Sequence, residues 1–125
     1  MAACGVTAAS AEELRPAPQY YLDTVIGMSL AEQYAWHCPA VVVNQDAVAA
    51  AYGALIQRLG ADGFETDAPH EHMALPPQAD TDAVITSMLS RNEAAADPEA
   101  SFCGEARAEM KSGTVTGKLL AGTAQ

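Results

Sequence analysis

The chain has 125 residues, half of them apolar, and 16 acidic side chains against six basic ones, for a formal charge of −10. That length makes one domain with a modest core, near the size where a covalent staple helps. The charge argues against nucleic acid or anionic lipid as partner, because both would be repelled.

Much of the apolar content is alanine, aromatic residues are few, and no stretch alternates long enough for a sheet. Such a composition predicts an all-α fold, a small bundle of four to five helices.

The first eleven residues, MAACGVTAASA, are nearly all small, and Ala9-Ser10-Ala11 has the A-x-A form of a signal-peptide cleavage site. The charged and strongly apolar parts of a signal are missing before it. Residues 1–11 therefore read as a signal-peptide remnant or a disordered leader, with a single helical domain over residues 12–125. An alternative is the tail of a lipoprotein signal, with Cys4 as the lipidated residue and a lipid anchor through it. On either reading Cys4 leaves the count of three cysteines, and Cys38 and Cys103 remain as a pair. Without export the protein is cytoplasmic and carries three free thiols.

Glu12 to Gln19 is polar with two prolines and reads as an extended lead-in. Tyr20 to His37 is the first predicted helix, with Leu22, Val25, Ile26, Leu30 and Tyr34 at helical spacing. Gly27 inside it means either a close approach or a marginal turn. Pro39 ends the helix at Cys38, because the residue before a proline avoids helical geometry. Ala40 to Val43 is β-branched, but with no second strand in view it reads as a buried link. Asn44 caps a second helix, Gln45 to Leu59, with Val48, Tyr52, Leu55, Ile56 and Leu59 inward and Gly60 as its stop.

The next stretch, from Asp62 to Gln78, is the least regular; Asp67 is a candidate cap for a single turn reaching Met73. Asp80 to Arg91 predicts a helix with Val84, Ile85, Met88 and Leu89 as its apolar face, and Asn92 to Ala96 a loop. Asp97-Pro98 is a strong helix start, an acceptor at the cap followed by a residue with no N–H to leave unpaired. Phe102, Cys103, Ala106 and Met110 then share one face, and Ser112-Gly113 supplies a left-handed stop. A short turn from Thr116 to Leu120 returns Leu119 and Leu120 to the core. No segment approaches a membrane span.

Little in the chain carries chemistry. A Cys38–Cys103 bridge closes a long loop and is worth ~4 kcal/mol in the chain-entropy model. A reactive thiol lacks support, since there is no C-x-x-C and no evident His/Asn partner set. His70-Glu71-His72 is the one metal-like cluster, yet histidines two apart suit an extended segment, not a helix face. The preferred reading is a solvated loop, since exposed histidines need no explanation. Gly113 to Lys118 fails as a phosphate loop, because three residues separate its glycines and Leu119 follows the lysine. Between Asp62 and Glu99 nine acidic residues accompany one base, Arg91, which reads as a solvated surface. No catalytic residues, cofactor or cofactor-binding residues are assigned.

Taken together, Cys38-Pro39 at a helix end, Leu59-Gly60, and the tail from Asp97-Pro98 through Phe102-Cys103 to Ser112-Gly113 and Gly117-Lys118-Leu119-Leu120 carry a resemblance. The chain resembles a small uncharacterised bacterial family of exported two-cysteine helical proteins, over roughly residues 20 to 120. The resemblance implies a helical exported protein with two cysteines and attaches no activity or ligand. The loop from Phe64 to Gln78 departs from the helical continuation it implies.

The resulting expectation is a non-catalytic periplasmic or otherwise exported protein, an interaction or accessory protein with a protein partner in the envelope. Two alternatives stand beside it. One is a metal-binding or hydrolytic protein using His70, His72 and an acidic neighbour. The other is an acid-responsive periplasmic chaperone, loosened as its excess carboxylates protonate near pH 3.

Overall fold

The computed structural model of the protein describes residues 14–123. Cys4 and the leader reading of residues 1–11 lie outside them. The described residues form a mostly helical fold with five α-helices, a two-stranded sheet and one disulfide. The all-α bundle expected from composition is what forms.

Helix α1 (Gln19–His37) is the hub, in contact with each of the other helices and with β1. It stops where Pro39 requires, with Cys38 in extended geometry. The predicted stripe is met in part, since Tyr34 is buried and Leu22 and Leu30 pack against the core. Tyr21, Gly27, Ala31 and Tyr34 are buried, whereas Val25 is exposed and Trp36 is 84% exposed. Gly27 is buried because of close approach: a Cβ there would lie 2.6 Å from Val115 Cγ1, so this turn of α1 takes α5 directly against its backbone.

Strand β1 (Val41–Val43) corrects the buried-link expectation. It pairs antiparallel with β2 (Leu120–Gly122), in the register Val41 to Gly122, Val42 to Ala121 and Val43 to Leu120. The partner strand lies near the far end of the chain and reads Leu-Ala-Gly, which carries no strand signal.

Helix α2 (Gln45–Ala61) starts at the expected cap, Asn44 Oδ1 accepting from the Ala47 N–H at 3.1 Å. It runs through Gly60 rather than ending there. Gly63 instead takes the left-handed conformation (φ 85°), and the Phe64 N–H reaches the Leu59 carbonyl at 2.9 Å. Leu55 and Leu59 are buried, but Tyr52 is 51% exposed. After α2 comes a 3-10 turn, Pro69–His72, which Asp67 does not cap. Beyond it, Ala74 pins the lead-in: Ala17 donates to its carbonyl at 2.8 Å, and its own N–H donates to the Arg15 carbonyl at 2.7 Å.

Helix α3 (Gln78–Glu93) is longer than expected at both ends and takes in Asn92, which is fully buried, not in a loop; Val84 is exposed. Helix α4 (Pro98–Ser112) begins and ends as expected. Asp97 Oδ1 accepts from the Ala100 N–H at 3.2 Å, and Gly113 is left-handed at φ 68°. The short helix α5 (Val115–Lys118) then turns Leu119 and Leu120 into the core. A Cβ at Gly117 would overlap the Glu109 carbonyl, which is how closely α5 lies against α4.

Two apolar clusters result. The larger surrounds the disulfide and joins α1, β1, α3, α4 and the Leu119-Leu120 corner through Ala31, Tyr34, Val41, Met88, Phe102 and Ala106. The smaller ties the start of α1 to the end of α2 and to Met73.

Candidate functional site

Cys38 and Cys103 are bonded, with their Cα atoms 5.2 Å apart, and both are buried. The bond links the end of α1 to the middle turn of α4. Beside it the His37 ring stacks on Phe102, centroids 4.3 Å apart and planes 10° from parallel. A thiol chemistry at this pair has no access to solvent, so the bond acts as a staple.

One layer further out, a polar clasp joins α1, α3 and α4. Arg91 donates from Nε and Nη2 to the two Glu105 oxygens at 2.8 and 2.6 Å, and the Tyr34 hydroxyl donates to Glu105 Oε1 at 2.6 Å. The Arg91 bonds, with help from Tyr34, hold the Glu105 carboxyl down at about 2, against the penalty of its partial burial. Burial and the bond to Glu105 push the Tyr34 phenol upward. Asn92 completes the layer: its amide donates to the Met88 carbonyl at 2.9 Å, and its oxygen accepts from Ser101 at 2.6 Å. Among the described residues no buried side-chain nitrogen or oxygen lacks a partner, which is the pattern of a structural network. The low Glu105 value ties the clasp to pH, because its contribution to stability begins to fall once the pH drops below the ordinary carboxylate value of 4.5.

His70 and His72 lie on the exposed 3-10 turn. His70 reaches Glu71 at 3.7 Å with both side chains well solvated. His37 belongs to the disulfide layer and does not join them. Among the described residues no three His, Cys, Asp or Glu side chains gather in a way that holds a metal ion. Also among them, no helix is long and apolar enough to cross a membrane.

What sequence reasoning did not single out is a groove of about 410 Å³ between α1, α2 and α5. Its α2 wall is Ala47, Ala50, Ala51 and Ala54, small side chains where longer ones would have filled the space. Val115 from α5 and Leu119 just beyond it close one side, and Tyr20 and Thr24 from α1 the other. Two cations line it, Arg58 and Lys118. The Arg58 guanidinium sits 3.9 Å above the Tyr20 ring, whose hydroxyl donates to Asp62 at 2.6 Å. Neither Arg58 nor Lys118 forms an ion pair with any described residue. The signal was present in the sequence only as scarcity, six basic residues in the whole chain. A second depression of about 450 Å³ lies between α1 and α3, but its cation, Arg91, is already held by Glu105.

No protein-family model, curated protein or solved structure matches this chain, so its function rests on these residues alone.

Proposed function

We propose that the protein is a non-catalytic accessory protein of the bacterial envelope, exported and oxidised, which acts by binding rather than by turning over a substrate. The observation that carries the reading is the Cys38–Cys103 disulfide at the centre of the larger core. Buried structural disulfides form and persist in oxidising compartments, and glutathione and thioredoxin systems keep cytosolic thiols reduced. The A-x-A form at Ala9-Ser10-Ala11 agrees with export. The polar side chains of the clasp are spent on one another, which supports a binding rather than a catalytic role.

The test is the intact mass of the protein isolated from its own organism, with and without reductant and alkylation. Export predicts a chain beginning at Glu12 and lower by two hydrogens than its reduced form. A lipid-sized addition on Cys4 assigns a membrane anchor. Three free thiols on a chain starting at Met1 would overturn the reading. Affinity isolation from native envelopes tests the accessory role in turn, and repeated failure to recover a stoichiometric partner counts against it.

A further inference from the structure

The groove between α1, α2 and α5 combines an apolar wall with two cations. Its walls are apolar and unfilled, which leaves hydrocarbon in water at a cost of about 25 cal/mol per Å². It also gathers two of the six cations of a chain with a formal charge of −10, and neither has a carboxylate partner among the described residues. An apolar body with two cations among its lining residues, in a volume of about 410 Å³, falls within the usual size and composition of a small-molecule site.

We propose that this groove binds a single-chain amphiphile with an anionic head, a free medium-chain carboxylate. Its hydrocarbon tail lies along Ala47, Ala51 and Ala54 against Leu119, and its carboxylate is held between Arg58 and Lys118. The inference deepens the binding role proposed above, but it does not depend on export. Charge complementarity selects the occupant. An anionic head gains attraction from both cations, a neutral head gains none, and a cationic head is repelled. Arg58 is also held in place for the task, because its stacking on Tyr20 fixes the guanidinium at the rim without neutralising it.

The experiment is calorimetric titration of decanoate, below its micellar concentration, into the full-length disulfide-intact protein. Decanol, decyltrimethylammonium and anionic phospholipid vesicles serve as comparison titrants. Saturable one-to-one uptake of decanoate is expected, with the neutral and cationic analogues at least tenfold weaker. Arg58→Gln and Lys118→Gln should each weaken binding severalfold. Ala54→Leu, at an exposed position where helix propensity is kept, should abolish it by filling the groove. The double reversal Arg58→Glu with Lys118→Glu should turn the preference toward decyltrimethylammonium, a change that mere loosening of the fold would not produce. Circular dichroism of each variant checks that the helices persist.

The proposal is overturned by no saturable uptake of decanoate, by equal uptake of the three heads, or by binding to vesicles but not to the monomer. A response that appears only once residues 1–13 are deleted assigns the groove to that segment and overturns it as well. Failure here leaves the export test untouched, and free thiols in the isolated protein would sink export without touching decanoate binding.

Discussion

Asn92 shows how a single polar side chain is worth burying when each of its bonds is made. It is fully buried, spans Met88 on its own helix and Ser101 on the next, and so fixes how α3 meets α4. Asn92→Ala removes both bonds and strands the Ser101 hydroxyl, for an expected loss of ~2 kcal/mol in denaturant unfolding. A loss below the error of the measurement would mean that water replaces the amide. Glu105 carries a pH signature. Its carboxyl lies at about 2 in the folded chain against 4.5 for an unperturbed one, so its stabilisation is complete above about pH 4.5. That stabilisation is lost as pH falls toward 2. The Arg91 side chain is 55% exposed, so solvent screening reduces the contribution to ~1–2 kcal/mol. The stability gap between the wild type and Glu105→Gln should therefore narrow from pH 5 to pH 2. Parallel curves over that range would remove the clasp as a source of acid sensitivity.

At the scale of elements, the contact between α1 and α5 sets where the chain end can go. Alanine in place of glycine inside a helix ordinarily gains ~1 kcal/mol. At Gly27 the new Cβ meets Val115 Cγ1 at 2.6 Å, and something must move. Gly27→Ala is expected to lose stability in the wild-type background and to regain the helix benefit when combined with Val115→Ala. The coupling between the two should reach ~1 kcal/mol, measurable as a double-mutant cycle. Strict additivity would show that the approach of α5 is looser than the structure has it. The same contact shapes the groove, because Val115 and Leu119 form its α5 side. Gly27 thus acts on a site it does not touch.

For the molecule as a whole, the disulfide ties the hub helix to α4 across a sequence separation of 65 residues. Closing a loop of that length restricts the unfolded chain by ~4 kcal/mol in the chain-entropy model. Reduction, or the double change Cys38→Ala with Cys103→Ala, should lower the thermal midpoint by on the order of 15 °C in a domain of this size. A midpoint that is unchanged after thiol titration confirms full reduction would show that the core around Phe102 holds without the bond.

The sequence alone determined what rests on neighbours along the chain. The helix starts at Asn44 and Asp97 and the stops at Cys38 and Gly113 follow from side-chain acceptors, a proline and a left-handed glycine acting within a turn. The cysteine pairing was legible too, once Cys4 was set apart with the leader and two cysteines remained. Tertiary structure decided what depends on distant partners. β1 became a strand because Leu120–Gly122 returns beside it, and Asn92 was drawn into a helix because Ser101 waited for it. On α1 the predicted Tyr34 is buried, but Gly27 and Ala31 are buried with it, Gly27 because α5 approaches closely there, and Val25 is left exposed. The groove belongs to this second class. Four alanines, an arginine and a lysine look unremarkable in order, and they make a site only where three helices bring them round one unfilled space.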